Sequence, residues 1–319
     1  MITSLSLRVV SSIGVFIAIA VGLFVLVHAA PGDPIEMSIP PELGGADREA
    51  YIAARREALG LNDPMIVQFG RWFGGVLTGD LGYSLSTGRP VSQILADRLG
   101  PTLLLMGGAL LIGTLIAIPA GIVAAVKRNT PADYTISTVS VLAICFPGFF
   151  LAMLGIYVFA VQLRLLPSSG MTSSGGGGPG DVLLHLILPV SLLALTVAAP
   201  FTRFVRGGML EELGKDYVRT VVAKGGNRVR VVGHALRNTL LSLVTVLMLY
   251  IPVFLAGAVA VEQVFAWPGM GQLSIQAVAA RDYPVIIGFG LYVALLVLAC
   301  NLIADIAYVL LDPRVRSQR

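Results

Sequence analysis

The stretch that decides the fold is residues 134–163, YTISTVSVLAICFPGFFLAMLGIYVFAVQL, thirty consecutive residues without a formal charge. A hydrocarbon layer of about 30 Å needs about 20 helical residues, because each residue of an α-helix rises about 1.5 Å. Residues 139–163 are apolar on every face, whereas a strand of an outer-membrane barrel has about 10 residues of alternating polarity. The stretch therefore predicts a membrane-spanning helix.

Outward from this stretch, the charged residues are grouped so that five further segments are long enough to cross a bilayer. These uncharged segments are residues 9–32, 99–126, 182–202, 238–261 and 283–304. Apolar residues make up 56% of the 319-residue chain, charged residues only 13%, and a soluble domain has about 25% charged residues. The composition excludes a soluble enzyme, a nucleic-acid-binding protein and a disordered tail. The predicted fold class is an all-α polytopic membrane protein with six transmembrane helices.

The first span resembles a signal peptide in one respect, since Arg8 precedes its apolar run. That run, residues 9–27, is longer than the roughly 7 to 15 residues usual in a signal peptide, so we expect a retained helix. The expected organisation follows from the spans. It consists of an N-terminal transmembrane helix in residues 1–30, an extracytoplasmic segment in 31–98, a five-helix transmembrane domain in 99–310 and a tail in 311–319.

The distribution of basic residues predicts the orientation of the chain. Six spans place both termini on one side, and the flanks on that side carry 14 of the 22 Lys and Arg residues. The flanks on the other side carry eight. By the positive-inside rule, we expect both termini in the cytoplasm of a cell whose inner membrane holds the protein.

The segment 31–98 carries signals of local order. A helix is expected over residues 46–59, ended by Gly60, and Asn62-Asp63-Pro64 begins a second helix that runs through Val76. A turn at residues 79–82 follows, and Arg89-Pro90 opens a helix that leads into the second span. Two interpretations stay open: a small cap packed on the bundle, and a docking surface for an extracytoplasmic partner.

The predicted cytoplasmic loop, residues 203–237, contains eight basic residues. Leu210, Leu213, Tyr217 and Val221 recur at helical spacing, so we expect one amphipathic helix that ends at Gly225-Gly226. Periodicity alone favours a helix that lies in the lipid headgroups, because basic amphipathic helices are common there.

The sequence offers little that could carry out bond chemistry. None of the three histidines has a metal-ligand or catalytic-triad neighbourhood, and no Gly-Lys-Ser/Thr phosphate loop is present, so we predict neither a metal site nor an ATP site on this chain. Asp305 is an ionisable residue near the end of the last span, which suggests either a helix-packing hydrogen bond or a proton site.

Four other positions are candidates for the solute pathway. Glu262 and Gln263 end the fifth span, where they face either a vestibule or water. Pro147 and Pro252 interrupt spans, and a proline inside a helix opens a kink that can line a pathway.

Several short motifs, in order along most of the chain, resemble one family. The motifs are residues 31–34 (PGDP), 59–64 (LGLNDP), 79–84 (GDLGYS), 216–225 (DYVRTVVAKG), 234–238 (HALRN), 264–271 (VFAWPGMG), 281–285 (RDYPV) and 311–316 (LDPRVR). They are similar to those of binding-protein-dependent ABC import permeases, above all the dipeptide, oligopeptide, glutathione and nickel permeases. The chain departs from that pattern at Val221-Val222 and at Thr239, where the family usually has other residues.

The resemblance implies a type I importer in which this subunit pairs with a second, similar permease. An external binding protein would deliver the solute, and two cytoplasmic ATPase subunits, which hold ATP and Mg²⁺, would drive transport. It also implies that the loop 203–237 docks on an ATPase, with Tyr217, Val218 and Val221 in its groove and Arg219 and Lys224 at the rim. The implied coupling residues are Asp216, Tyr217, Val218, Arg219, Thr220, Ala223, Lys224 and Gly225.

The sequence thus predicts a non-catalytic permease subunit that lines half of a pathway for short peptides, with glutathione-like peptides or nickel chelates as the next candidates. Two alternatives from other classes stay open. A proton-coupled secondary carrier would depend on Asp305, and a membrane-embedded hydrolase would need a nucleophile and a base at one depth.

Overall fold

The computed structural model describes residues 2–29, 44–58 and 62–311. The helices of this part of the chain are α1 (Ile2–Ala29), α2 (Gly45–Ala58), α3 (Met65–Thr78), α4 (Val91–Val126), α5 (Pro131–Cys145), α6 (Gly148–Gly155), α7 (Pro179–Leu213), α8 (Asp216–Ala223), α9 (Arg228–Val264), α10 (Met270–Ala279) and α11 (Tyr283–Leu311). A π-helical segment, Ile156–Gln162, continues α6. The all-α prediction is confirmed for the described residues, where β-pairing is limited to an isolated bridge between Tyr83 and Pro90.

Within the described ranges, five helices are long and apolar enough to cross a membrane, and a sixth span follows if α5 and α6 count as one. That sixth span is the stretch 134–163, which we expected to be a helix. Instead, α5 and α6 meet at an angle of 100°. Pro147 causes the break, because it cannot donate the helical hydrogen bond, and Phe146 before it is extended with φ −88° and ψ 133°.

The chain divides into two compact units, and the first comprises residues 1–99 and 273–298. Its core is formed by Ala20, Ile287 and Leu291, against which Trp72 and Phe73 of α3 pack. Gly290 allows the close approach of α11 and α1, since a Cβ there would lie 2.9 Å from a methyl group of Leu23.

The predicted order of the segment 31–98 is confirmed where the structure describes it. Helices α2 and α3 lie at the expected positions, and α3 ends at Gly79, whose φ of 84° is the left-handed conformation that favours glycine. The expected helix opened by Arg89-Pro90 is the first part of α4. The motif at residues 31–34, Gly60 and the tail 312–319 lie outside the described residues.

The second unit comprises residues 100–272 and 299–319. In it, α4 and α7 cross at glycines: a Cβ on Gly113 would lie 2.8 Å from Cβ of Val197, and one on Gly121 would lie 2.6 Å from Cβ of Val205. Both pairs are eight residues apart, about two helical turns, so one stripe of α4 fits one stripe of α7. Pro252, expected to interrupt a span, lies inside the continuous helix α9.

Candidate coupling surface

The predicted cytoplasmic loop consists of three pieces, not one amphipathic helix. The end of α7 carries Leu210 and Leu213, α8 carries Tyr217 and Val221, and α9 already begins at Arg228. The expectation of a single helix was wrong because α7 ends at Gly214, after which Lys215 is extended with φ −78° and ψ 152°. The helical spacing of the apolar residues continues from α7 into α8. Periodicity alone therefore does not reveal that the helix ends between them.

One face of α8 packs against the rest of this chain. Val218 is only 9% exposed. The Tyr217 hydroxyl donates to Oε2 of Glu212 at 2.7 Å, and Asn238 Nδ2 donates to the same oxygen at 3.0 Å. Glu212 belongs to α7 and Asn238 to α9, so this small network ties α8 to both neighbouring helices.

Tyr217 and Lys215, which both donate hydrogen bonds to Glu212 and lie outside the long helices, have shifted pKa values. Burial, and then the hydrogen bond to Glu212, raise the pKa of the Tyr217 hydroxyl above its ordinary value. The hydrogen bond to the Glu212 carboxylate raises the pKa of Lys215. Both groups therefore keep their protons at neutral pH, and the network does not change its charge there.

The three side chains expected to dock in an ATPase groove are only partly accessible in this chain, and their docking stays a prediction. We expected Tyr217, Val218 and Val221 to fill a groove of an ATPase, but Val218 is buried against its own chain and Tyr217 is half-buried. Val221 is half-buried too, beside Gly226, where a Cβ would lie 2.6 Å from Cγ1 of Val221.

The outward face of α8, with its C-terminal cap, consists of five other implied coupling residues and Val222, one of the two valines at which the chain departs from the family pattern. These exposed residues are Asp216, Arg219, Thr220, Val222, Ala223 and Lys224. Val222 is 57% exposed, and Val229 in the first turn of α9 is 78% exposed. We call Val222, Ala223 and Val229, with the basic residues Arg219, Lys224, Arg228 and Arg230 around them in sequence, the coupling surface. Its three apolar residues are bordered in sequence by four basic ones, and the exposed Asp216 pairs with Arg219 at 3.5 Å.

The turn between α8 and α9 has a fixed geometry. Gly225 adopts φ 76°, which favours glycine, and its amide donates to the carbonyl of Val222 at 2.9 Å. Asn227 caps α9, because its side chain accepts a hydrogen bond from the amide of Arg230 at 2.9 Å. The Asn227 cap was missed in the sequence, although Asn before a helical run is its usual signal.

Of the candidate pathway residues, Glu262 is placed in the interior, not at a vestibule. Its side chain is 1% exposed, and its carboxylate accepts hydrogen bonds from the Thr102 hydroxyl at 2.7 Å, the Gly271 amide at 2.7 Å and the Gln272 amide at 3.1 Å. It thereby caps the first turn of α10. Gln263 is exposed, and its part in a pathway stays a prediction, as do those of Pro147 and Pro252.

In the first unit, a cleft of about 210 Å³ adjoins the turn before α11. Buried Asp282 lies in its wall and accepts hydrogen bonds from the hydroxyls of Ser84 and Ser86, at 2.6 and 2.7 Å, and from the amides of Leu85 and Ser86. Burial alone would raise the pKa of this carboxyl, but the four hydrogen bonds outweigh burial and lower its pKa. Arg89, Asp97 and Arg98 also line the cleft.

Asp305 lies in α11, but its side chain is outside the described part of the structure. Among the described side chains, no group of three or more His, Cys, Asp or Glu residues could hold a metal ion.

A family model described as "Binding-protein-dependent transport system inner membrane component" matches residues 117–317, and the model of its N-terminal part matches residues 1–106. The chain belongs to this permease family. The permease is therefore a membrane component of an ABC importer, a class that also uses ATPase subunits and a substrate-binding protein. The resemblance inferred from the motifs is confirmed, whereas the proton-coupled alternative based on Asp305 gains no support.

Known relatives match the permease over nearly its whole length. It is 43% identical to a putative peptide permease protein of Brucella ovis, 40% identical to an oligopeptide transport system permease protein of Bacillus subtilis and 38% identical to a glutathione transport system permease protein of Salmonella typhi. Each alignment covers 97% of this chain and 97% of the relative.

A solved structure supports the fold. A chain in the inward-facing structure of the MetNI methionine ABC transporter aligns with a TM-score of 0.55 at 17% identity, over 69% of this chain and 97% of that chain. The likeness confirms the predicted type I importer permease fold.

Proposed function

We propose that the permease forms one half of the translocation pathway of an importer for short peptides, and that it carries out no bond chemistry itself. A second, similar permease would supply the other half. The peptide-type substrate is supported by the names of relatives at 38–43% identity, which are peptide, oligopeptide and glutathione permeases. Nickel chelates are the next candidate, on the resemblance alone.

The observation that carries the energy-coupling part of the proposal is the coupling surface. A two-turn helix with exposed Val222 and Ala223 lies between two long apolar helices and is held to both by the Glu212 network. A rigid apolar patch on a protein outside the lipid is costly unless a partner covers it. A groove of an ATPase with acidic residues at its edge fits this patch. The residues that border the patch in sequence, Arg219, Lys224, Arg228 and Arg230, are basic.

The orientation follows from the same docking. On this proposal α8 lies on the cytoplasmic side, because ATP is cytoplasmic, and alternating spans would then put both termini there and α2 and α3 outside. This arrangement agrees with the excess of Lys and Arg on the flanks around α8. The external helices α2 and α3 are then available to the binding protein that delivers the solute.

Val222→Asp tests the docking directly. A buried carboxylate without a partner opposes association, so we expect ATPase subunits to be lost when the variant complex is purified through the permease. Val222→Ile is the matched control, because it keeps the site apolar, and it should retain the ATPases. Full retention of the ATPases by Val222→Asp would contradict docking at this surface.

The substrate class is tested on the binding protein. The protein encoded beside this permease should bind di- to pentapeptides in calorimetry, and labelled peptide should be taken up by vesicles that hold the complete importer. Binding of a nickel chelate with no affinity for peptides would reject the peptide assignment and leave the coupling proposal intact.

A further inference from the structure

We propose that the short turn between α4 and α5, residues 127–130, receives the movement of α8. Asp133 and Arg206 are the positioning residues that link this turn to α8. This inference rests on the proposed docking of an ATPase at α8. It assigns a role to an ion pair that lies away from the coupling surface.

The first link joins α7 to α5. Arg206 of α7 donates two hydrogen bonds to Asp133 in the first turn of α5, from Nε to Oδ1 at 2.6 Å and from Nη2 to Oδ2 at 2.8 Å. Asp133 is 2% exposed, and it also accepts from the amide of Asn129 at 3.0 Å, which lies in the turn itself. A two-pronged Arg-carboxylate pair fixes orientation as well as distance.

The second link joins α9 to α4. Nη2 of Arg228, in the first turn of α9, donates to the carbonyl of Val126 at 3.1 Å, and Val126 is the last residue of α4. The turn is therefore held from both sides, by α7 through Asp133 and by α9 through Val126. Because α7 and α9 are the two helices that flank α8, both ends of α8 are linked to residues that border the same turn.

The helices that make these links are packed closely enough to move together. A Cβ on Gly208 of α7 would lie 2.8 Å from Cγ2 of Thr239 in α9, and Glu212 joins α7, α8 and α9 through Tyr217 and Asn238. A force on α8 therefore displaces the ends of α7 and α9 as one body.

The character of the ion pair favours a rigid link over a switch. A buried carboxylate that loses its cationic partner is strongly unfavourable, so the pair stays closed while the elements around it move. The exposed pair of Arg89 and Asp97 in the first unit differs, because exposed pairs contribute little and open easily. Since Asp133 lies in the first turn of α5, and α5 ends at the 100° bend before Pro147, a displacement of the turn tilts this strongly bent span.

The test is the amount of solute transported per ATP hydrolysed, measured in proteoliposomes that contain the complete importer. Asp133→Asn and Arg206→Gln each remove one charge of the pair. We expect both variants to assemble with the ATPases and to hydrolyse ATP, while uptake per ATP falls about tenfold. The double variant should fall no further than either single variant, because all three remove the same link.

Arg203→Gln is the matched control. Arg203 is an exposed arginine one turn earlier on α7, and its loss should leave uptake per ATP unchanged. Arg206→Lys keeps the charge but not the two-pronged geometry, so an intermediate loss is expected from it. This variant provides the test if Asp133→Asn does not fold.

Unchanged uptake per ATP in assembled Arg206→Gln or Arg206→Lys would overturn the proposal. An equal loss of hydrolysis and uptake would overturn it too, because the pair would then serve assembly and not transmission. Failure of the docking proposal shows elsewhere: Val222→Asp would then retain the ATPases, whatever the result for Asp133→Asn and Arg206→Gln.

Discussion

At the scale of single residues, Glu262 illustrates how a charged residue in a span can serve the structure. Its carboxylate joins three elements of the second unit, since it accepts from Thr102 of α4 and caps α10 from the end of α9. Gly269 is required beside it, because a Cβ at that position would overlap the carboxylate. The sequence showed only an acid at the end of a span. The hydrogen-bond donors come from distant positions, so no local pattern could assign them.

Glu262→Ala should destabilise the permease by about 3 kcal/mol, because the Thr102 hydroxyl and two amides lose their buried acceptor. Unfolding of the purified protein in detergent, followed by circular dichroism, measures this loss. Gln263→Ala, at the exposed neighbouring position, is the control and should change stability little. Equal stability of both variants would show that the three hydrogen bonds do not hold this corner together.

Asp282 leads to a pH prediction at the same scale. Its pKa is lowered in the folded chain, so the ionised form stabilises the fold, and that contribution is present above the unfolded value of about 3.9. It is lost as pH falls through the lower, folded-state pKa. Hydrogen exchange of the Leu85 and Ser86 amides should therefore lose protection in acid.

The Asp80 amide, which bonds to the carbonyl of Gly75 at 2.9 Å, is the internal control and should keep its protection. In Asp282→Asn, the Leu85 and Ser86 amides should be less protected already at neutral pH. Protection of these amides that does not change with pH or with Asp282→Asn would contradict a role of the carboxylate in holding residues 84–86.

At the scale of helices, sequence periodicity identified apolar segments better than it identified breaks. The uncharged stretch 134–163 was found, but its 100° bend depends on Pro147 and on the extended Phe146, and many prolines, such as Pro252, lie inside continuous helices. Likewise, the apolar spacing from Leu210 to Val221 continued across Gly214. Which glycine or proline breaks a helix is decided by tertiary contacts, and a single sequence does not contain those explicitly.

The crossing of α4 and α7 gives a prediction at this scale. Gly121→Ala places a Cβ 2.6 Å from Cβ of Val205 and 2.9 Å from the carbonyl of Thr202, so we expect a loss of about 1–3 kcal/mol in unfolding free energy. Gly107→Ala on the same helix meets nothing within 4 Å and should be neutral or slightly stabilising. Chemical unfolding in detergent compares the two. Equal effects would mean that the helices do not cross at Gly121.

At the scale of the whole molecule, grouping of charges and the order of motifs predicted the class, the helical fold and the permease family, all of which the structure or the comparisons confirm. The docking residues that the resemblance implies stay a prediction, because an amphipathic pattern shows which side chains share a face of α8 but not what covers that face. Val218 is covered by its own chain, whereas Val222 is 57% exposed.

The central claim is that this chain moves solute only when separate ATPases act on it. The most direct measurement is uptake of a labelled peptide into proteoliposomes that contain the permease pair and the binding protein, with and without the ATPases and Mg·ATP. The account predicts uptake only when all components and ATP are present, and its loss in Val222→Asp. Uptake of the same extent without the ATPases would contradict it.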